Sequence, residues 1–142
     1  MSGKSAITMH DLDVMARTIF GEARNQPYDG QLAIAYVILN RWRSPRWFSH
    51  PSISGVCLKQ WQFSCWNVTD PNKERIERAS YDEAGMRNAL RAALQALDKP
   101  GEDHTKGSTH YYAPKVVSAP KWAKDKTPVA KIGDHDFYSN ID

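Results

Sequence analysis

The chain has 142 residues, 41% hydrophobic and 25% charged, with a formal net charge of +3 and a pI near 8.9. That length suffices to bury one core, and the composition is that of an ordinary globular protein. A mean hydropathy of -0.62, with no apolar run near the roughly 20 residues that a spanning helix needs, excludes a helical membrane protein. The opening "MSGKSAITMHDLD" carries a lysine but no apolar stretch behind it, so no secretory signal is expected.

The first helix is expected to start at Thr8, where Asp11 three positions on gives a capping-box signal. Leu12, Met15, Ala16, Ile19 and Ala23 then recur at helical spacing. Glu22, three after Ile19 and seven after Met15, prolongs that apolar stripe, and Gly21 beside it admits a close neighbour. "RNQPYDG" breaks the pattern, with Pro27 placed for the first turn of a second helix. This helix, about Tyr28 to Trp42, is apolar on nearly every side from Leu32 to Leu39, which marks it as central and buried. "RSPRWFSHPSISG" reads as a loop. A third helix is expected from about Tyr81 to Leu97, burying Ala89, Leu90, Ala93, Leu94 and Leu97 and ending at "DKPG". Beyond Gly101 the texture changes to Pro, Lys and aromatic residues with short β-like pieces. The expectation is one α+β domain over residues 1–142, predominantly helical, with a loop- and hairpin-rich C-terminal part.

Glu22 is the residue that asks for a reason. A carboxyl group among apolar side chains pays to lose its proton, and one that keeps its proton near neutral pH can hand it to a leaving oxygen. That is the demand of glycosidic bond cleavage; a solvated surface Glu is the competing reading. "KQWQFSCWN", Lys59 to Asn67, interleaves Gln60, Gln62, Ser64 and Asn67 with Trp61, Phe63 and Trp66. Amides beside aromatic faces suit sugars, whose hydroxyls need partners and whose C–H faces stack on rings; a small core patch would look the same. In "STHYYAP", strand alternation allows His110 and Tyr112, or Tyr111 alone, to face inward.

Other chemistries find less support. Of the five His, none forms a recognised metal spacing, and His135 between Asp134 and Asp136 fits a turn and strand better than a cation site. There is no P-loop, dinucleotide fingerprint or nucleophile elbow. Cys57 and Cys65, eight apart, make neither a C-x-x-C nor a zinc site; a local disulfide and two buried thiols both remain open. The mild positive charge suits an anionic polymer such as nucleic acid, cell wall or membrane surface without choosing among them.

Taken together, "ARTIFGEARNQPYDGQLAIAYVILNR", "WQFSCW", "THYYAP" and "AKIGDHDFY" resemble, in order and spacing, the cell wall hydrolase family typified by the spore-cortex-lytic enzyme SleB. The resemblance runs from about Leu12 to Tyr138. It implies a lysozyme-like, lytic-transglycosylase-like fold and cleavage of peptidoglycan between N-acetylmuramic acid and N-acetylglucosamine, with no cofactor and no metal. The family's single catalytic Glu falls on Glu22. Ordinary glycosidases use two carboxylates, but a lytic transglycosylase needs one, because the C6 hydroxyl of muramic acid attacks its own anomeric carbon. On this basis Gln62 and Tyr112 are expected to hold the sugar, Trp66 to serve as a wall, and Ser64, His110 and Tyr111 to line the site.

Spore enzymes of the family carry a signal and a wall-binding region, which this sequence does not show. The expectation is therefore a phage-type endolysin, monomeric, made in the host cytoplasm and released through a holin-type pore, with no nucleic-acid partner and no stable membrane association. Three alternatives stand beside it: a hydrolytic muramidase at the same bond, a non-catalytic glycan-binding module, and a metal-dependent amidase.

Overall fold

A computed structural model describes residues 3–142; Met1 and Ser2, part of the stretch read for a signal, lie outside the described residues. Helix α1 spans Met9–Ala23 and opens with the expected capping box: Thr8 Oγ1 accepts from the Asp11 backbone N–H at 3.1 Å, and the Thr8 N–H donates to Asp11 Oδ2 at 2.9 Å. The second Asp11 oxygen accepts from the Ser54 N–H at 2.9 Å, which ties the cap to the next layer. Helix α2, Tyr28–Arg43, follows Pro27 and buries every residue from Ala33 to Leu39. Two short helices come next, α3 at Ile53–Leu58 and α4 at Asn72–Arg78, separated by a 3₁₀ turn at Ser64–Trp66. Helix α5 covers Ala84–Asp98.

The α1, α2 and α5 helices share one core around Met15, Ile19, Ile34, Ile38 and Met86. Three strands close the chain: β1 at His110–Tyr112, β2 at Ala130–Ile132 and β3 at His135–Tyr138. They form an antiparallel sheet in the order β1-β3-β2, with Tyr111 opposite Phe137 and His110 opposite Tyr138. Alternation then sorts the side chains. Tyr111 and Phe137 join the helical core, whereas Tyr112 and Tyr138 build a second cluster with Trp122, Ala123 and Ile141 on the other face.

The architecture is the α+β one expected, mostly helical with a small sheet. Three local expectations need correction. The stretch 43–55 is not all loop: Ser52 Oγ accepts from the Gly55 N–H at 2.9 Å and starts α3. Helix α4 had no counterpart in the sequence reading, since seven residues hold too little period to register. Helix α5 begins at Ala84, not Tyr81, and its inner face runs through Met86, Ala89, Ala92, Ala93 and Ala96, leaving Leu94 exposed. Small residues win that face because they let α5 approach α1 closely. Tyr81 stays outside the helix, its hydroxyl donating to Asp13 Oδ1 at 2.7 Å.

Candidate active site

Glu22 lies in the last turn of α1 and is half-buried. Two donors from distant parts of the chain hold its carboxyl group. The Tyr111 hydroxyl donates to Oε1, and the Cys65 backbone N–H donates to Oε2 at 3.2 Å. Gly21 makes the second contact possible: a Cβ there would stand 2.9 Å from Cys65 Cβ and 3.0 Å from Ile76 Cγ2, so only glycine lets the 3₁₀ turn rest on α1. Asn72, the first residue of α4, donates from Nδ2 to the Gly21 carbonyl at 2.9 Å and accepts from Arg24 at 2.6 Å. The carboxyl group is thus held by two donors, on a helix end that Asn72 fixes.

Tyr111 is itself fixed. Its ring meets His135 edge-on at 5.1 Å and lies 5.7 Å from Phe137. Burial, reinforced by the Glu22 charge and hydrogen bond, pushes its phenol well above the usual range, so it remains a donor. Burial also lowers the pKa of His135, against the opposing pull of Glu22, Asp134 and Asp136, and its Nδ1 is buried without a hydrogen-bond partner.

Two depressions flank this centre. One, about 260 Å³, contains Glu22 with Gln26, Asn72, Val116, Asp134 and His135. The other, about 310 Å³, is lined by Arg41, Trp47, Trp61, Gln62, His110 and Trp122, with Tyr111 in its wall. Tyr111 therefore borders the second depression while its hydroxyl serves the carboxyl group of the first. A larger depression of about 630 Å³ sits over α2 and the turn between β2 and β3, and Glu22 is not part of it.

The predicted residues divide accordingly. Glu22, Tyr111, Gln62 and His110 come together around this centre. Ser64, Trp66 and Tyr112 line neither depression. Ser64 is exposed on the 3₁₀ turn. Trp66 turns toward α1, where its indole N–H donates to Thr18 Oγ1 at 2.8 Å. Tyr112 stacks on Tyr138 at 5.9 Å on the opposite sheet face, so Tyr111, not Tyr112, reaches the carboxyl group. The register of β1 against β3 decides that parity.

Sequence reasoning passed over Cys65 as a backbone donor, Asn72 and Arg41, and weighed Asp134 only as part of a cation site. Only Arg41 left a signal: it follows Ile34, Val37 and Ile38 on one stripe of α2, the same pattern that exposed Glu22. Cys57 and Cys65 are both free and buried. Burial pushes the Cys57 thiol up to about 12 and raises that of Cys65 further, so neither is a nucleophile at neutral pH. Among the described residues no group of three or more His, Cys, Asp or Glu is placed to hold a metal ion, and no helix is long and apolar enough to cross a membrane.

With a carboxyl group held in a depression between the end of α1, the start of α4 and the sheet, and an aromatic-walled pocket beside it, the comparisons with known proteins give the class. Residues 25–138 match the Cell Wall Hydrolase family model, and the chain belongs to that family. Glu22 precedes the matched range by three residues. The chain is 35% identical over 128 residues to the spore cortex-lytic enzyme of Halalkalibacterium halodurans, covering 90% of this chain and 34% of that protein. It is 31% identical over 134 residues to the Bacillus subtilis enzyme, covering 90% and 37%. The chain thus spans about a third of the length of these curated relatives. Among solved structures, the catalytic domain of the germination-specific lytic transglycosylase SleB from Bacillus anthracis superposes with a TM-score of 0.75 at 29% identity, covering 95% of this chain and 98% of that one. The catalytic domain of Bacillus cereus SleB gives 0.78 at 28% identity, covering 98% of each.

Proposed function

We propose that this chain is a peptidoglycan lytic transglycosylase that cuts the bond between N-acetylmuramic acid and N-acetylglucosamine. The observation that carries the reading is the placement of Glu22: half-buried, gripped by Tyr111 and the Cys65 N–H, at the edge of a polar depression in a fold shared with SleB catalytic domains. In its protonated form Glu22 gives a proton to the glycosidic oxygen. The resulting carboxylate then takes the proton of the muramyl C6 hydroxyl as that oxygen closes on the anomeric carbon. One residue acts in both steps, and the product carries a 1,6-anhydro ring. Tyr111 keeps the carboxyl group oriented, and its hydrogen bond strengthens as the negative charge appears on Glu22.

Hydrolysis at the same bond has one observation in its favour. Asp134 lines the depression that contains Glu22, with its Oδ2 accepting from Gln26 Nε2 at 3.1 Å. A second carboxylate across a water molecule is what an inverting hydrolase requires. The engagement with Gln26 favours a structural role for Asp134, and hence the transglycosylase.

The mild positive charge of +3 suits an enzyme that moves along an anionic wall, and we extend the proposal to an endolysin role, with access to the wall through a holin-type pore. Expression with and without a pore former tests that extension, since lysis from within then requires the pore. The test of the activity itself is Glu22→Gln on purified sacculi. The variant keeps the shape and remains folded, and clearing falls at least about a hundredfold.

A further inference from the structure

Arg41 occupies an unusual position. It is buried, 5% exposed, on the inner stripe of α2, and no carboxylate lies within ion-pair distance of it among the described residues. Its Nε donates to the Thr109 carbonyl at 2.6 Å and Nη1 to the Gln62 carbonyl at 3.4 Å, and its guanidinium stands 4.5 Å over the Phe63 ring. Carbonyl dipoles and a π face orient the cation, yet neither cancels its charge. The Glu22 charge supports the guanidinium from beyond ion-pair distance, but a buried cation with no carboxylate in contact is costly and persists where something repays it.

The pocket into which Arg41 opens is walled by indoles. Trp47 and Trp61 are 62% and 66% exposed, large apolar surfaces left in water beside a buried charge. Trp61 moreover has a φ of 68°, a left-handed conformation that bulky side chains rarely adopt. Strain of this kind, held in a turn that projects an indole toward a pocket, is characteristic of ligand-binding sites. The carboxylate at the rim, Asp142, is engaged by Arg46. His110 completes the wall; burial and the charges of Arg41 and Arg46 lower its pKa to about 4, so it is neutral in use.

We propose that this pocket is a muramyl-recognition subsite: the indoles take the C–H face of the sugar, and Arg41 takes an oxygen of its 3-O-lactyl group. Only muramic acid, not glucosamine, carries that group. The lactyl oxygen is a carboxylate in the free sugar and an amide carbonyl where a peptide stem is attached, and a guanidinium binds either. Because Tyr111 both walls the pocket and bonds Glu22, a muramyl unit here would sit next to the acid. The subsite rests on the proposed activity for its meaning, but its chemistry can be tested apart from it.

The probes are N-acetylmuramic acid, its methyl ester and N-acetylglucosamine, titrated separately into isotope-labelled Glu22→Gln protein while the indole N–H resonances are followed. N-acetylmuramic acid is expected to shift the Trp47, Trp61 and Trp122 signals and to bind about tenfold tighter than N-acetylglucosamine, the worth of one charge-assisted hydrogen bond. The ester, which keeps a carbonyl but loses the charge, should fall between them. Trp61→Ala, a change at an exposed site, should weaken N-acetylmuramic acid binding about fivefold. Equal affinity for acid and glucosamine, or shifts confined to the Gln26 and Asn72 side, would overturn the subsite. Since binding is read without turnover, wild-type protein that selects the muramyl sugar yet leaves sacculi intact would support the subsite and refute the activity.

Discussion

Under the proposed activity Glu22 delivers a proton to one particular oxygen and has to be held still, and the Tyr111 phenol is one of the two donors that hold it. Tyr111→Phe keeps the ring against His135 and Phe137 and removes only the donor on Glu22. Activity on sacculi should fall about tenfold, with stability changed by about 1 kcal/mol or less. Tyr112→Phe, on the other sheet face, should leave activity within about twofold, and the reverse order of effects would contradict the placement. The sequence showed that Tyr111 and Tyr112 must face opposite ways, but which one faces in depends on a register set between residues far apart in the chain. Glu22 was legible because α1 is long enough for a carboxylate to stand out on its stripe. Arg41 was legible by the same rule and was missed because basic residues near a helix C-terminus are ordinary. Trp66 could be a sugar platform or a core residue until its indole N–H was seen to find Thr18, 48 positions away.

At the scale of elements, the site depends on the 3₁₀ turn seating on the last turn of α1. Gly21→Ala tests this: the added methyl meets Cys65 at 2.9–3.0 Å and Ile76 at 3.0 Å, and the turn has to move. We expect a loss of about 1–3 kcal/mol in urea denaturation, together with a drop in activity greater than the folded fraction explains, because the Cys65 N–H moves off Glu22. A loss of stability with unchanged specific activity would show that the turn does not position the acid. Long helices with local caps, such as α1 with Thr8 and Asp11, could be read from sequence. The short α3 and α4, whose ends are fixed by Ser52 and by Asn72 contacts to α1, could not. Tertiary contacts, not period, make them helices.

Across the whole molecule, the buried His110 and the half-buried His135 couple folding to pH. His110 titrates near 4 in the folded chain, against about 6.5 unfolded. Between those values the unfolded chain binds the extra proton, so stability is full above the unfolded value and is lost as pH falls toward 4. His135 is shifted in the same direction by burial. Unfolding by urea at pH 7 and pH 5 should show a loss of about 1 kcal/mol from His110, after allowance for its partial solvent screening. His110→Gln should remove that share of the slope; an unchanged slope would contradict the burial seen here.

The proposal common to these scales is that Glu22 breaks a sugar bond without a second carboxylate. Mass spectrometry of the muropeptides released from purified sacculi, wild type against Glu22→Gln, tests this most directly. The account predicts new 1,6-anhydromuramyl ends from the wild type and almost none from the variant. Reducing muramyl ends, or anhydro ends that persist in Glu22→Gln, would contradict it.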